Sequence, residues 1–159
     1  AYAGGKIVTL EIGNTRVAAQ MMEDMTGADV FRIETVNPYP YNHMETVTIA
    51  QEEQRENARP ELKGNEINIE SYDTIILGYP NWWGTMPMAV FTFLESHDFA
   101  GKTILPLCTH EGSGMGHSEA DIEAVCPDAR VERGLAITGC KVSKAEKNIE
   151  KWLTLAGLM

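Results

Sequence analysis

The sequence is poor in cysteine and has no long apolar run. Its three cysteines, Cys108, Cys126 and Cys140, lie far apart, and no CxxC or cysteine/histidine spacing occurs. Neither a disulfide framework nor a zinc or other metal site is therefore indicated, and a reducing, cytoplasmic setting is the default expectation. No apolar run approaches the roughly 20 residues of a membrane span. No charged-then-apolar signal segment opens the chain.

Positive charge is scarce as well. The chain has 13 Lys and Arg against 23 Asp and Glu, which gives a formal net charge of −10. This balance argues against nucleic acid and anionic membrane as partners, and it is compatible with a basic protein partner. A length of 159 residues with 43% hydrophobic residues predicts one domain over residues 1–159, long enough for a real core.

Apolar runs and helical patterns alternate along the chain. Each of five predicted strands is followed by a predicted helix, a repetition typical of a doubly wound α/β domain. The predicted strands are residues 6–10, 29–36, 74–77, 102–108 and 130–138. The predicted helices run from 13–15 to Gly27, over 42–57, from near Pro87 to 97, over 118–126 and over 143–156. The pattern predicts a five-stranded parallel sheet with helices on both faces.

Three local signals sharpen this outline. The apolar run 74–77 stops at residues 78–81, Gly-Tyr-Pro-Asn, which is turn chemistry. Pro106 removes one backbone donor from the fourth strand and suggests a bulge there. Ser118 and Asp121 have the spacing of a capping box that opens a helix.

Two tryptophans follow the predicted central strand. Pro80 and Asn81 lead into Trp82-Trp83-Gly84, just past the carboxyl end of that strand. Ligands of open α/β sheets bind at this edge, and adjacent tryptophans in a Pro/Gly loop are unusual for a core. These residues are therefore candidate ligand contacts, with packing alone as the alternative.

Three loops are expected to converge beside the first strand, because the strand order reverses there. They contain Gly13-Asn14-Thr15, the tryptophan segment and the glycine-rich residues 109–116. The first begins a helix, where free N–H groups favour a phosphate, although a simple helix cap is as good a reading. The third offers flexible backbone donors. Phosphate, aromatic and backbone contacts in this order match the shape of flavin mononucleotide (FMN).

Two other motifs are weaker. Residues 112–116, GSGMG, look like a dinucleotide fingerprint, but the third glycine comes one residue early and the motif follows the fourth strand. His110, Glu111 and Ser113 offer the groups of a hydrolase without a nucleophile-elbow G-x-S-x-G. We therefore expect no catalytic nucleophile.

The segments YPNWWGTMPMAVFTFLE and PLCTHEGSGMG, with a later Cys-Pro and NARPELKG upstream, resemble the flavodoxin-like proteins, specifically a short bacterial subgroup with a WWG loop. The resemblance covers roughly residues 13–159 and implies strand order 2-1-3-4-5, non-covalent FMN and electron transfer. The residues that it implies for FMN contact fall into the same three loops. They are Gly13, Asn14 and Thr15; Trp82, Trp83 and Gly84; and Thr109, His110, Glu111, Gly112 and Gly114. Pro80 and Asn81, which directly precede Trp82, are candidate contacts with them.

The chain departs from the family pattern in the phosphate loop. Leu10, Glu11 and Ile12 stand where the pattern has two hydroxyl residues, and Glu11 brings a negative charge towards a phosphate. Two functions are therefore open. The first is an FMN-dependent redox protein, either an electron carrier or an oxidoreductase, with a redox protein or NAD(P)H or quinone as partner. The second is a flavodoxin-fold binding or regulatory module with lost or weakened FMN binding.

Overall fold

A parallel sheet forms the centre of the computed structural model, which describes residues 5–40, 42–64 and 67–158. Its strands follow the order β2-β1-β3-β4-β5, with β6 also beside β4, and every ladder is parallel. The strands are β1 (Gly5–Thr9), β2 (Asp29–Arg32), β3 (Thr74–Pro80), β4 (Thr103–His110), β5 (Arg130–Val131) and β6 (Leu135–Thr138). The predicted doubly wound fold with order 2-1-3-4-5 is confirmed.

Helices cover both faces of this sheet. They are α1 (Asn14–Thr26), α2 (His43–Glu56), α3 (Met88–Glu95), α4 (Ser118–Val125) and α5 (Glu146–Leu155), with a 3₁₀ helix over Gly139–Lys144 before α5. On one face Met22 of α1 and Ile149 of α5 pack on Ile76. On the other, Phe93 of α3 and Ile122 of α4 pack on Leu77. Among the described residues, no helix is long and apolar enough to cross a membrane.

The central strands run further than the turn chemistry of residues 78–81 predicts. β3 continues through Pro80, which pairs with Thr109, and β4 continues to His110. Tyr79 is fully buried, so burial of a large side chain outweighs the turn tendency of its neighbours. Pro80, Thr109 and His110 are therefore residues of strand ends and not of loops.

The last predicted strand, 130–138, is divided in two. β5 pairs with Thr103 and Ile104, whereas β6 pairs from Leu107 onwards. Pro106 lies at the interruption, and its carbonyl approaches Gly134 so closely that a side chain on Gly134 would overlap it. The pairing of β3 with β4 runs through Pro106 without a break. The bulge expected in β4 at Pro106 is therefore not seen in its pairing with β3. Instead, the strand on the other side of β4 is interrupted and forms β5 and β6.

The second strand is shorter than the predicted 29–36. Ile33 N–H still donates to the Thr9 carbonyl of β1. After Ile33 the chain pairs in antiparallel fashion with residues 61–63, through an isolated bridge between Thr35 and Leu62. Backbone bonds from Val36 N–H to the Glu61 carbonyl and from Lys63 N–H to the Glu34 carbonyl support it. The alternating pattern of residues 29–36 therefore indicates extended backbone. Its first part pairs with β1 and its last part pairs with residues 61–63.

Candidate functional site

The three predicted loops meet at the carboxyl edge of β1, β3 and β4. Gly13 precedes α1, and Asn14 and Thr15 are its first residues. We call residues 81–85, between β3 and α3, the Trp loop, and residues 111–117, between β4 and α4, the Gly loop. Hydrogen bonds connect all three segments, so the structure brings the predicted residues into one region.

The start of α1 is hydrogen-bonded to the end of β4 and to the first residue of the Gly loop. Gly13 has φ 59°, a left-handed conformation that a side chain would strain. The Thr15 hydroxyl lies 2.8 Å from the Thr109 hydroxyl, and Asn14 Nδ2 donates to Glu111 Oε1 at 3.4 Å. The polar side chains at this helix start are therefore already engaged with β4 and the residue that follows it.

The side chains at the positions of the missing hydroxyl residues pack or pair within the protein. Leu10 is buried in the core, and Ile12 packs against the same cluster. Glu11 forms an ion pair with Arg32 at the end of β2. Thr9 is fully buried and its hydroxyl has no hydrogen-bond partner among the described residues. None of these four side chains offers a hydroxyl to a phosphate at α1.

The Trp loop is a tight turn held by its own hydrogen bonds. Trp82 N–H donates to the Thr85 carbonyl at 2.8 Å, and Gly84 N–H donates to Asn81 Oδ1 at 3.0 Å. Asn81 N–H also donates to the Thr109 carbonyl at 2.8 Å. Trp83 adopts a positive φ of 56°, which is uncommon for a residue with a side chain. The loop therefore has one defined shape.

The two indole rings have different neighbours. The ring of Trp82 lies edge-on to Tyr39, with centroids 5.1 Å apart. Trp83 remains 47% exposed, and its Nε1–H donates to the Val47 carbonyl of α2. Gln54 of α2 donates in turn to the Trp83 carbonyl. The Trp loop is thus held by contacts with helix α2 and with the loop after β2. The sequence did not reveal these contacts.

The Gly loop contains the remaining predicted residues. Gly112 N–H donates to His110 Nδ1 at 2.9 Å, which turns the imidazole back onto its own loop. Gly112 and Gly114 have φ of 134° and 62°, so both need the freedom of glycine. Glu111 is exposed and its carboxylate lies over Gly139, where a side chain would overlap it.

The Trp and Gly loops are bound to each other. Asn81 Nδ2 donates to the Gly114 carbonyl at 2.9 Å, and His117 N–H donates to the Gly84 carbonyl at 2.8 Å. A side chain at Gly116 would overlap that same carbonyl. The two loops therefore form one surface rather than two independent flaps.

Sequence reasoning missed three residues at this junction. Asp121 accepts hydrogen bonds from Thr85 Oγ1 at 2.5 Å and from His117 Nδ1 at 2.8 Å. The capping box predicted from Ser118 and Asp121 is wrong, because Ser118 is buried, bonds to Tyr79 and donates to the Met115 carbonyl. Only the i,i+4 spacing of His117 and Asp121 hinted at their pairing.

Cys108 lies under the Gly loop in β4. It is fully buried, and burial raises the pKa of its thiol to about 12, with a smaller contribution from Glu119. Burial likewise raises the pKa of Tyr79 well above its usual range. The interpretation of Cys108 as a core residue is confirmed by its burial, and the thiol stays neutral at physiological pH.

A cleft of about 430 Å³ adjoins the candidate site on the β2 side. It lies between the loops after β1 and β2, and Leu10, Arg16, Ile33 and Tyr39 are among its lining residues. Tyr39 also contacts Trp82. Tyr39 thus links the wall of the cleft to the Trp loop.

The sheet order defines a doubly wound α/β protein. The three joined loops lie at the carboxyl ends of β1, β3 and β4, where proteins of this class bind ligands. A family model described as Flavodoxin matches residues 9–155. The chain belongs to the flavodoxin family. No match was found among curated proteins.

Solved structures agree with this assignment. A candidate flavoprotein of Bacteroides eggerthii is 27% identical, with a TM-score of 0.80 over 97% of this chain and 98% of that chain. One from Bacteroides uniformis is 24% identical, with a TM-score of 0.81 over 94% and 99%. A flavoprotein of Lactobacillus acidophilus, solved in complex with FMN, is 17% identical, with a TM-score of 0.70 over 90% and 98%. The last two likenesses concern the fold alone.

Proposed function

We propose that this chain is an FMN-binding redox protein. The observation that carries the proposal is the junction of the Trp loop with the Gly loop beside the first residues of α1. Aromatic rings and a glycine-rich backbone stand together at the edge where doubly wound proteins bind ligands. Membership of the flavodoxin family supports the proposal, and so does the FMN complex of the Lactobacillus acidophilus flavoprotein.

The site suits the ring of FMN better than its phosphate. Exposed Trp83 and half-buried Trp82 offer aromatic faces, and Gly112 and Gly114 leave room for backbone donors to approach a flat polar ring. The start of α1 still favours an anion through its backbone N–H groups. However, the Asn14 side chain already donates to Glu111, whose carboxylate repels a phosphate. We therefore expect FMN affinity to depend mainly on the ring.

FMN would supply the redox chemistry, while this chain binds the ring, orients it and limits its contact with water. Two roles fit these residues: an electron carrier with a protein partner, or an oxidoreductase acting with NAD(P)H or a quinone. Cytoplasmic location belongs to the same proposal. The predicted contacts in all three loops, from Gly13 to Gly114, remain proposals of FMN contact.

An absorbance spectrum tests the function directly. We expect purified protein to show flavin bands, or to acquire them when FMN is added, and titration should give saturable binding. Oxidation of NADH or NADPH by the purified protein alone would assign an oxidoreductase, and its absence together with FMN binding would assign a carrier.

The alternative is a flavodoxin-fold binding or regulatory module without flavin. The specific observation in its favour is the set of inward-pointing residues at the phosphate loop, Leu10 and Ile12, together with the Glu11–Arg32 ion pair. Failure to bind FMN or riboflavin at any concentration tested would decide for this alternative.

A further inference from the structure

One carboxylate oxygen connects the Trp loop to helix α4. Asp121 Oδ2 accepts from Thr85 Oγ1 at 2.5 Å and from His117 Nδ1 at 2.8 Å. Because a carboxylate only accepts, Nδ1 of His117 must carry a proton whether the ring is neutral or charged. The other ring nitrogen of His117, Nε2, faces Gly84, and a Cβ atom added to Gly84 would lie 3.5 Å from it.

The three side chains differ in exposure. Thr85 is 2% exposed, whereas the side chains of Asp121 and His117 are 30% and 64% exposed. Hydrogen bonds to an ionised carboxylate are stronger than neutral ones, and they are less weakened by water when they are partly buried. The bond from Thr85 to Asp121 should therefore contribute most, and the bond from His117 should contribute less.

The Thr85 backbone is hydrogen-bonded to Trp82, one of the two tryptophans of the Trp loop. Its carbonyl accepts the Trp82 N–H, and the N–H of His117 holds the Gly84 carbonyl. We propose that Thr85, Asp121 and His117 form a clasp that positions the Trp loop against the Gly loop, so that the indole rings are preorganised for a flat aromatic ligand. The ligand part of this inference rests on the proposed FMN function, but the clasp itself does not.

Gly84 and Gly116 agree with such a clasp. The His117 ring covers Gly84, and the Gly84 carbonyl occupies the space above Gly116. Both glycines have positive φ, 89° and 57°. Close approach of the two loops thus requires the absence of a side chain at Gly116, whereas at Gly84 it is the positive φ that favours glycine. The clasp joins the same two loops through α4.

Variants at the buried end of the clasp test it. Thr85→Val keeps the shape and removes the hydroxyl, and Thr85→Ser keeps the hydroxyl. Asp121→Ala removes the shared acceptor. Asp24→Ala is the control, because it removes another i,i+4 acceptor, that of Gln20, on an exposed face of α1. Thermal melts followed by circular dichroism identify any variant that fails to fold.

The first measurement needs no flavin. In Thr85→Val and Asp121→Ala, hydrogen exchange of the Trp82 amide should become about tenfold faster or more, because a hydrogen bond to a charged group is lost. Nitrogen chemical shifts of the His117 ring should report a protonated Nδ1 in the wild type and lose this signature in Asp121→Ala. Unchanged exchange in both variants would overturn the clasp.

The second measurement is the dissociation constant for FMN. It should rise about tenfold in Thr85→Val and Asp121→Ala, and Thr85→Ser and Asp24→Ala should resemble the wild type. His117→Ala should change it less than fivefold, because its bond is exposed. Wild-type affinity in Thr85→Val with faster Trp82 exchange would overturn the positioning role. If the wild type binds no flavin, the proposed function fails, whereas the exchange measurement still decides on the clasp.

Discussion

The Thr15 hydroxyl reaches the Thr109 hydroxyl across the central strand β3, at a distance of 2.8 Å. Thr15 belongs to α1 and Thr109 to β4, and both are buried. Gly78 of β3 lies beside this contact: a Cβ atom added there would be in ordinary contact with Thr15 Cγ2, at 3.7 Å, and in a tighter contact with Thr9 Oγ1, at 3.2 Å. This bond fixes the start of α1 relative to the carboxyl end of β4.

We expect Thr15→Val to lower the free energy of unfolding by about 1–3 kcal/mol, because it leaves the Thr109 hydroxyl buried without a partner. The double variant Thr15→Val/Thr109→Val should recover part of this loss, since both polar groups are then removed. Urea denaturation measures both values. Thr154→Val, at an exposed position of α5, is the control, and an equal effect there would contradict the assignment.

Removing the Thr9 hydroxyl should raise the free energy of unfolding, whereas removing the Thr15 hydroxyl should lower it. Thr9 is fully buried and its Oγ1 has no hydrogen-bond partner among the residues that the structure describes. Thr9→Val keeps the shape and removes a desolvated polar group, so it should raise the free energy of unfolding by about 1 kcal/mol. Thr9→Ser keeps the hydroxyl and loses a methyl group, so it should lower the same quantity. Destabilisation by Thr9→Val in urea denaturation would indicate a partner for this hydroxyl.

Restoring a hydroxyl at position 10 should not restore a phosphate site. Leu10 is 3% exposed and belongs to the core below β1. Leu10→Ser should therefore lower the free energy of unfolding by about 2–5 kcal/mol, as other large-to-small core substitutions do. It should not improve affinity for FMN relative to riboflavin. Parallel denaturation and flavin titrations measure the two effects, and a selective gain for FMN would show that the loop can turn outward.

The order of elements could be predicted from the sequence because it depends on local patterns. The apolar run at 75–77 needs burial on both faces, and Gly27 ends α1 in a left-handed conformation as predicted. The strand order came from the family resemblance. Residue types alone would not distinguish it from other doubly wound sheets.

The contacts of the site could not be predicted in the same way. The Thr15–Thr109 hydrogen bond joins residues 94 positions apart, and it depends on how α1 packs on β4. The burial of the Leu10 side chain depends on the end of the β1–β3 pairing, at Thr9 and Gly78, directly before it. The pairing of Asp121 with Thr85 competes with the capping role that its spacing suggested. Each of these outcomes is decided by packing between elements distant in sequence.

The three cysteines should differ sharply in reactivity. Cys108 and Cys126 are buried and Cys140 is exposed, and burial raises the pKa of Cys126 to about 11 and that of Cys108 to about 12. Thiolate is the reactive form. Iodoacetamide at pH 8 should therefore modify Cys140 in the folded protein and all three residues in urea, as mass spectrometry would detect.

The same two pKa values predict a loss of stability at high pH. Folding raises both values, so the folded state favours the neutral thiols. Their contribution is complete below the usual thiol pKa and disappears as the pH rises towards 11–12. Rapid labelling of Cys108 in folded protein at pH 8 would contradict the burial on which both expectations depend.

Glu111 should weaken the binding of FMN through its charge. Its carboxylate accepts a hydrogen bond from Asn14 at the start of α1, where a phosphate would bind. Glu111→Gln keeps the size of the side chain and removes the repulsion. Since the group is exposed, the dissociation constant for FMN should fall only about two- to fivefold. The gain should shrink at high salt, and riboflavin, which lacks the phosphate, should show none.

Fluorescence titration of both flavins at low and high ionic strength measures this effect. Glu123→Gln, an exposed carboxylate on α4, removes one negative charge from the protein without touching α1. It is therefore the control for a change in net charge. If Glu111→Gln improved the binding of FMN and riboflavin equally, the carboxylate would act on the ring or on the Gly loop rather than on the phosphate. If Glu123→Gln gave the same gain, the effect would be due to the overall charge of −10 and not to the position of Glu111.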